Sequence, residues 1–493
     1  MNRFYDDFES IRAAGHALVD LAIDHLDVTP ADPATTLRPA RELARAFGDG
    51  PPARGRPLHD VLARLRADVT EQSIRLANPM YMGHQVCPPL PVAALADVVV
   101  SMLNQSLAVW EMAPAAALLE DRLIRWLAGL AGFGPEAGGS FVSGGSVGNL
   151  TALLAARARR FPDAWAKGNP PGLAIVTGAQ SHYSIARAAG IMGLGADAVV
   201  TVPTTPAGAT DPRGVRDAIN ALRAEGRTVL AIAATAGSTP TGAFDDLDAL
   251  AGVAAETGVW LHVDGAHGAS ALLSDRHRDR LRGLERTDSL AWDPHKMLYQ
   301  PLSTAVVLVR DRRDLENAFR QDAPYLFHNR ATGDGKRVTA AAMDQDLDDA
   351  PADPGAWTIQ CSRRADALRF WIALEYYGTD VLAELFDRAV DITRELYRRI
   401  LETEDFEALH EPECNILCFR YRARGLDAAA LEAFQDRLRA RYNASGRGWI
   451  TATTLDGRRA LRVTLINPRT RAEHLERLLG GLREEAAALL ATR

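Results

Sequence analysis

Hydrophobic positions recur at two different spacings along the chain. The segment FESIRAAGHALVDLAIDHL, residues 8–26, places apolar side chains three and four residues apart, which predicts one amphipathic helix. From about Gly138 the spacing changes, and short apolar runs such as LAIVT and LAIAAT alternate with helical stretches. This alternation predicts βαβ units and a mostly parallel sheet that is covered on both faces.

The C-terminal part has a different pattern. The runs CNILCFRY and RALRVTLIN predict antiparallel strands, and RAEHLERLLGGLREEAAALL predicts a closing helix. We therefore expect an N-terminal helical segment over residues 1–85, a large α/β domain over 86–370 and a small α+β domain over 371–493. In α/β domains ligands bind at the carboxyl ends of the strands, so polar residues at those ends are the candidates for function.

Composition excludes several classes of protein. The chain has 493 residues, 24% of them charged, and its net charge of −7 gives no basic surface for nucleic acid or anionic lipid. Its apolar runs are too short to span a bilayer, and the acidic start MNRFYDDFES is unlike a signal peptide. The four cysteines form no CxxC pair, and the histidines lack ligand spacing. We expect a cytoplasmic protein with reduced thiols and no metal site.

Small or polar residues follow several of the predicted strands. Gly144, Gly145 and Ser146 precede a predicted helix, where backbone N–H groups and the helix dipole favour an anion. Many such turns contain glycine for conformational reasons alone, and this loop lacks the lysine of a P-loop. His182 follows another strand, either as a structural residue or as a flat ring that stacks on a ligand. Ser238 follows a third, where plain turn chemistry is the alternative.

Two charged residues complete the set of candidates. Asp264 ends the apolar strand VWLHVD, either as a helix cap or as a buried carboxylate that holds a cation. Lys296 lies in DPHKML between apolar segments, where an unpaired ammonium is strongly unfavourable. The strand ends thus offer an anion site, a stacking surface, a carboxylate and a lysine. Pyridoxal phosphate requires this combination, because it needs a phosphate cradle, an acid at its pyridine nitrogen and a lysine Schiff base.

The same segments resemble those of a known family. HVDGAHG, DSLAWDPHKML and GSFVSGGSVGNLTAL, supported by NPMYMGHQ, QDAPYLFH and LRVTLINP, are similar to segments of the group II pyridoxal-phosphate decarboxylases. That family includes the glutamate, cysteine-sulfinate and aromatic amino acid decarboxylases, and the resemblance covers nearly the whole chain. It implies the type I, aspartate aminotransferase-like fold with a seven-stranded sheet. It also implies a homodimer with active sites at the subunit interface.

The resemblance implies a role for each matching residue at the cofactor. Lys296 is expected to form the Schiff base, Asp264 to pair with the pyridine nitrogen and His182 to stack on the ring. The other expected cofactor contacts are Ala266 on the opposite face of the ring, Gly145, Ser146, Asp293 and His295 at the phosphate, and Ser238 near the cofactor.

Three further residues are implied at the substrate. Tyr325 matches the tyrosine of a mobile catalytic loop, and it is expected to protonate Cα of the substrate. Arg462 matches an arginine near the substrate carboxylate, and His84 stands where glutamate decarboxylases carry a substrate-contacting glutamine. The chain departs from the family at Gly265 and His267, because the usual HVDAAYGG is here HVDGAHGA, and in the loop after Tyr325.

The expected reaction is decarboxylation of an L-amino acid to an amine and CO2, which makes the protein a carboxy-lyase. His84 and Gln85 replace the apolar residues of an aromatic pocket, so we expect an acidic side chain: glutamate, aspartate, cysteine sulfinate or a phosphonate analogue. Aromatic amino acids and 2,4-diaminobutyrate are the alternative substrates. An aldehyde-forming decarboxylase, an aminotransferase and a non-catalytic protein of the same fold are the alternative functions. The presence of Tyr325 disfavours the first of these three.

Overall fold

The computed structural model describes residues 7–48, 50–205, 207–319, 323, 326, 330–331, 337–338 and 353–491. These residues form two compact units. The first takes its described residues from 1–88, 391–410 and 415–493, and the second from 89–390 and 411–414. The first unit thus combines the N-terminal and C-terminal parts of the chain. The roles expected for the segments 1–85, 86–370 and 371–493 stay predictions.

Seven strands form one sheet in the second unit. In spatial order they are β1 (Gly138–Val142), β7 (Ala305–Val309), β6 (Ser289–Trp292), β5 (Trp260–Asp264), β4 (Thr228–Thr235), β2 (Leu173–Gly178) and β3 (Val199–Val202). Strand β7 is antiparallel to both of its neighbours, and the other six strands share one direction. The mostly parallel seven-stranded sheet expected for the type I fold is therefore confirmed.

The helices of this unit are α4 (Pro91–Leu103), α5 (Pro114–Leu130), α6 (Gly145–Arg160), α7 (Ala164–Lys167), α8 (Ser184–Ile191), α9 (Pro212–Ala224), α10 (Leu247–Thr257) and α11 (Arg313–Ala318). Of these, α5, α6, α8, α9 and α10 pack against the strands of the sheet. Every residue of β5, β6 and β7 is buried, which explains why their sequences are apolar rather than alternating. Leu153 of α6 and Ile185 of α8 pack with Ile175 and Leu230 of the sheet in one hydrophobic cluster.

The first unit contains the smaller sheet. Its strands are antiparallel and lie in the order β10 (Phe406–Ala408), β11 (Ile416–Tyr421), β13 (Arg458–Thr464) and β12 (Thr451–Leu455). Its helices are α1 (Phe8–Leu26), α2 (Ala40–Phe47), α3 (Leu58–Asp68), α13 (Ala428–Ala444) and α14 (Ala472–Ala491). The antiparallel strands and the closing helix predicted for the C-terminal part are confirmed. A buried cluster that includes Met82, Phe419 and Leu475 forms the core.

Besides these elements and several short 3₁₀ helices, the described residues form one long helix and a pair of two-residue strands. Helix α12 (Ala367–Leu401) begins in the second unit and continues into the first, with a break at Gly378, where φ is 76°. The two-residue strands β8 (Arg330–Ala331) and β9 (Arg337–Val338) pair with each other. Within the part of the chain that the structure describes, no helix has the length and apolar character of a transmembrane span.

Candidate active site

The carboxyl ends of the parallel strands surround a cavity of about 310 Å³ in the second unit. Asp264 is the last residue of β5, where it pairs in register with Thr235 of β4 and Ala291 of β6. The loops that follow β1, β2, β4 and β6 supply the rest of the wall. Eight of the residues predicted to contact the cofactor line this cavity together: Gly145, Ser146, His182, Asp264, Ala266, Asp293, His295 and Lys296.

The start of α6 forms one end of the cavity. The helix begins at Gly145, directly after the positive-φ residue Gly144, and its first N–H groups lack intrahelical partners as in any helix. A Cβ at Gly145 would lie 2.9 Å from the Ala266 Cβ and 3.0 Å from Asp293 Oδ2. Glycine is therefore required here for close packing. The exposed N–H groups and the helix dipole together suit a phosphate group.

Asp264 is a buried carboxylate with a donor on each oxygen. The backbone N–H of Ala266 donates to Oδ1 at 3.2 Å, and the Asn149 side-chain amide donates to Oδ2 at 2.9 Å. Asp264 is 6% exposed, so these two bonds replace much of the water that the charge would otherwise bind. Sequence reasoning missed Asn149. The available signal was its position one helical turn after Gly145, on the helix that begins at the cavity.

His182 forms a second wall of the cavity. Its Nδ1 accepts the Ser184 backbone N–H at 3.3 Å and lies 2.8 Å from the Ser184 hydroxyl oxygen. This arrangement places the ring hydrogen on Nε2 in the neutral form. Burial lowers the pKa of His182, and the positive charge of Lys296 lowers it further, whereas Asp264 acts in the opposite direction. His182 is therefore a neutral, oriented ring at neutral pH.

Lys296 has a carboxylate partner. Its Nζ lies 3.1 Å from Asp293 Oδ2, and its side chain is only 19% exposed. His295 donates from Nδ1 to the Thr304 carbonyl oxygen at 2.7 Å, which leaves its Nε2 3.6 Å from the same Asp293 oxygen. Burial lowers the pKa of His295, although Asp293 opposes that shift. The lysine among apolar strands is thus stabilised by Asp293.

Ser238 is not placed on the cavity wall. Its Oγ lies 2.8 Å from Thr241 Oγ1 and accepts the Ala243 backbone N–H at 3.2 Å, so the side chain closes its own turn. From this loop, Gly237 and Thr239 line the cavity instead. The sequence identified the correct loop, but the direction of each side chain depends on the turn conformation. A cofactor contact of Ser238 stays a prediction.

The residues where the chain departs from the family pattern also lie at this site. A Cβ at Gly265 would lie 2.6 Å from Leu290 Cδ1 and 3.0 Å from the Ala269 Cβ, so the local packing demands glycine. His267 lines the cavity, and so does Thr235, the last residue of β4. Neither of these two side chains had been assigned a role from the sequence.

The predicted substrate residues are placed differently. Tyr325 lies outside the described residues. His84 and Arg462 both belong to the first unit, where the Tyr81 hydroxyl accepts the His84 backbone N–H at 3.3 Å and Arg462 Nη1 donates to Thr451 Oγ1 at 3.4 Å. Partial burial lowers the pKa of His84, and the positive charges of Arg462 and Arg439 lower it further. His84 therefore lies in a positive electrostatic environment.

The cavity fits pyridoxal phosphate. It combines a helix N-terminus with no space for a side chain at Gly145, a lysine, a flat neutral imidazole and a carboxylate that is already oriented. In addition, the buried Asp293 Oδ1 has no hydrogen-bond partner among the described residues, although buried polar atoms are normally paired. A further polar group can therefore be accommodated beside it.

Comparison with known proteins supports the same assignment. The model of the pyridoxal-dependent decarboxylase conserved domain matches residues 89–422. An L-2,4-diaminobutyrate decarboxylase from Rhizobium meliloti is 34% identical over 440 residues, which cover 89% of this chain and 84% of the relative. A cysteine sulfinic acid decarboxylase from Rattus norvegicus is 35% identical over 370 residues, which cover 74% of this chain and 72% of the relative.

A solved structure extends the similarity to the fold. The crystal structure of mouse CSAD in its apo form superposes with a TM-score of 0.88 at 29% identity, covering 97% of this chain and 99% of that one. The match to the family model and the two relatives agree with the cavity in both reaction and cofactor. The chain therefore belongs to the pyridoxal-dependent decarboxylases, and it is a carboxy-lyase that uses pyridoxal phosphate to release CO2 from an amino acid.

Proposed function

We propose that this decarboxylase acts on an L-amino acid with an acidic side chain, such as aspartate, glutamate, cysteine sulfinate or a phosphonate analogue. The polar residues His84 and Gln85 carry the proposal, because they stand where an aromatic pocket has apolar residues. The charges around His84 agree with it, since its pKa is lowered first by burial and then by Arg462 and Arg439. Arg462 is itself buried, and burial lowers its pKa. Two cationic groups beside a substrate contact favour an anionic side chain over an ammonium or an aromatic ring.

The geometry of the cavity residues supports the following roles. Bound pyridoxal phosphate would supply the acceptor for the electron pair that CO2 loss leaves on the substrate Cα. Lys296 would hold the cofactor through its Nζ amine. Asp264, oriented by two N–H donors, would keep a proton at the pyridine nitrogen. The neutral ring of His182 would limit the space on one side, and Tyr325, which lies outside the described residues, would donate the proton to Cα.

2,4-Diaminobutyrate is the second candidate substrate. The L-2,4-diaminobutyrate decarboxylase from Rhizobium meliloti aligns with this chain over 440 residues, whereas the cysteine sulfinic acid decarboxylase aligns over 370. Its substrate carries an additional amine, which two arginines near His84 would repel. This repulsion favours an acidic substrate over 2,4-diaminobutyrate.

We further propose a cytoplasmic homodimer with active sites at the subunit interface. Five side chains of α4 support the dimer, because they form an exposed apolar stripe at helical spacing: Leu95, Val98, Val99, Met102 and Leu103. The smallest exposed fraction among them is 38% and the largest is 74%. A stripe of this kind is typical of a surface that another subunit covers. We expect no nucleic acid and no membrane as partner.

The test is CO2 release by the purified protein after reconstitution with pyridoxal phosphate, with hydrogen peroxide measured in parallel. The substrates are aspartate, glutamate, cysteine sulfinate, phosphonoalanine, 2,4-diaminobutyrate, tyrosine and tryptophan. Release of CO2 without peroxide from an acidic member supports the proposal. Release of CO2 only from 2,4-diaminobutyrate or an aromatic amino acid would overturn the proposed substrate class. Formation of hydrogen peroxide in proportion to CO2 would identify the aldehyde-forming reaction instead.

A matched control separates enzyme turnover from background. Lys296→Ala removes the amine at the cavity, so the rate of CO2 release should fall by roughly a thousandfold or more. Lys167→Ala is the control, because Lys167 lies at the end of α7 with a side chain that is 75% exposed. It should retain the wild-type rate.

A further inference from the structure

A buried chain of hydrogen bonds leads away from Asp264 into the sheet. Asn149 of α6 donates to Asp264 Oδ2, and its Oδ1 lies 2.9 Å from Nε2 of His262 on β5. Nδ1 of His262 lies 2.9 Å from the Ser289 hydroxyl oxygen, which accepts the indole N–H of Trp260 at 2.9 Å. Asn149 lines the cavity, whereas His262, Ser289 and Trp260 do not. His262 and Ser289 are 0% exposed.

The side-chain hydrogen bonds of this network fit one arrangement of hydrogens, and His262 has a further hydrogen bond to the Ser289 backbone. The Asp264 carboxylate only accepts, so the Asn149 amide must direct its nitrogen towards Asp264 and its oxygen towards His262. His262 must then carry its hydrogen on Nε2. At the far end the Trp260 indole only donates, so the Ser289 oxygen accepts from it and directs its own hydrogen to His262 Nδ1. Every donor is thereby directed along the chain towards the cavity.

The same amide also reaches the second wall of the cavity. The other hydrogen of Asn149 Nδ2 is donated to Ser184 Oγ at 2.8 Å. The Ser184 hydroxyl in turn lies 2.8 Å from Nδ1 of His182, which accepts. One side chain therefore orients two groups that line the cavity: the Asp264 carboxylate directly, and the His182 imidazole through Ser184. Both N–H donors of the Asn149 amide and its oxygen are thus engaged.

We propose that Asn149 and His262 are positioning residues that orient the Asp264 carboxylate towards the pyridine nitrogen. Trp260 and Ser289 fix the tautomer of His262 on which this role depends. The inference rests on the proposed role of Asp264 in holding the pyridine nitrogen. If His262 carried its hydrogen on Nδ1, its Nε2 would face the Asn149 oxygen as a second acceptor. Rotation of the Asn149 amide to avoid that contact would place its oxygen against the Asp264 carboxylate, and the hydrogen bond to Asp264 would be lost. The tautomer of His262 therefore determines whether Asn149 can orient Asp264.

The network is protected from titration at neutral pH. Burial lowers the pKa of His262 to about 4, although the negative charge of Asp264 opposes the shift. The imidazole is therefore neutral over the range in which a cytoplasmic enzyme works, and its single N–H stays directed to Asn149. Because every other side chain in the network is neutral, Asp264 receives a hydrogen bond without a further charged group from the network beside it.

Two tryptophans of neighbouring strands allow a matched test. Trp260→Phe removes the N–H that ends the network, whereas Trp292→Phe removes the N–H of another buried tryptophan, which donates to Ser270 at 2.9 Å outside the network. Asn149→Ala and Asp264→Asn complete the set. The readouts are the dissociation constant of pyridoxal phosphate, the visible absorption spectrum of the holoenzyme, and kcat and KM for CO2 release. The ¹⁵N resonances of labelled histidine report the His262 tautomer in wild type and Trp260→Phe.

The expected results separate positioning from simple structural support. Asn149→Ala should weaken cofactor binding by about tenfold and lower kcat by about tenfold, with KM changed by less than about threefold. Its spectrum should shift in the same direction as that of Asp264→Asn. Trp260→Phe should populate the second tautomer of His262 and lower kcat about threefold. Trp292→Phe should match wild type in cofactor affinity, spectrum and kcat.

Several outcomes would overturn the inference. It fails if Trp260→Phe and Trp292→Phe have equal effects on cofactor affinity and kcat, or if wild-type His262 carries its hydrogen on Nδ1. It also fails if Asn149→Ala lowers only the melting temperature of the cofactor-free protein. Should wild type release no CO2 from any amino acid, the substrate proposal would fail separately. The cofactor affinity, the spectra and the tautomer would still decide this inference.

Discussion

Single residues at this site are explained by what their side chains contact. Lys296 is tolerated among apolar strands because Asp293 lies 3.1 Å away, and Asp264 is held by two N–H donors. Sequence motifs identified both residues, since a lysine and an acid at apolar strand ends are rare without a function. The partners of Asp264 could not be identified in the same way. Asn149 lies 115 residues from it along the chain.

The first prediction concerns the space at Gly145. Gly145→Ala forces a Cβ to within about 3 Å of Ala266 and Asp293, so the start of α6 must move. We expect the dissociation constant of pyridoxal phosphate to rise at least about tenfold, because the N–H groups no longer converge on the phosphate. Gly252→Ala in α10 is the control, since a Cβ there meets no atom within 4 Å. Equal affinity in the two variants would contradict the prediction.

The second prediction concerns the pH dependence of stability. Burial lowers the pKa of His262 from 6.5 to about 4, so between these values the unfolded chain binds a proton that the folded chain does not. The free energy of unfolding should therefore decrease as the pH falls through this window, by up to about 1.4 kcal/mol per pH unit. Above pH 6.5 this contribution is complete.

Urea unfolding of the cofactor-free protein between pH 4 and pH 7.5 measures the slope. His262→Gln should reduce it, because glutamine binds no proton in either state, whereas His59→Gln should leave it unchanged because His59 is exposed. A slope in His262→Gln that equals the wild-type slope would show that another group is responsible.

At the level of elements, side chains outside the cavity hold the loops that form it. Asp245 is buried, and its carboxylate accepts the Thr210 backbone N–H at 2.7 Å, the Thr210 hydroxyl at 2.8 Å and the Thr235 backbone N–H at 2.7 Å. The end of β4 is thereby fixed to the segment before α9. Burial raises the pKa of Asp245, and these hydrogen bonds oppose that shift.

The third prediction compares Asp245 with its neighbour. Asp245→Ala leaves three donors in a buried region without their acceptor, so the free energy of unfolding should fall by about 3 kcal/mol or more. Asp246→Ala removes only the N-cap of α10, where the exposed carboxylate accepts the Ala249 N–H at 3.0 Å. That change should cost about 1 kcal/mol. Urea unfolding of both cofactor-free variants measures the difference, and equal losses would contradict the role of Asp245.

At the level of the whole molecule, the two compact units do not follow the order of the chain. The first unit takes residues from both ends of the sequence, and the family model extends across the boundary between the units at residues 390 and 391. The single chain also leaves the apolar stripe of α4 in solvent, with Met102 74% exposed. A second copy of the chain would remove this surface from water.

The fourth prediction tests that surface. Met102→Glu places a charge in the apolar stripe proposed as the interface, so we expect a homodimer to dissociate and CO2 release to fall at least about tenfold. Ile191→Glu in α8 is the matched control, because Ile191 is 64% exposed and lies outside the stripe. Sedimentation velocity gives the oligomeric state of both variants. A Met102→Glu protein that sediments like wild type and keeps full activity would contradict the proposal.

The sequence by itself determined the local and chemical features of this protein. Apolar periodicity predicted the alternating strands and helices, and the chemical types at the strand ends predicted the lysine, aspartate, histidine and glycine of the cofactor site. The predicted alternation of strands and helices was confirmed because periodicity is a property of neighbouring residues. The strand-end residues line one cavity, and their roles at the cofactor stay predictions. The motif segments also identified the family, since each of them combines several such residues at fixed spacing.

Only the tertiary structure decided which distant residues meet. The hydrogen-bond network from Trp260 through Ser289 and His262 to Asn149 joins two strands and a helix. These elements are far apart in the sequence. The turn after β4, not its composition, directed Ser238 away from the cavity. Hydrogen-bond partners, side-chain directions and the exposed face of α4 depend on packing between elements. Local sequence does not encode that packing, because each contact requires two remote segments at once.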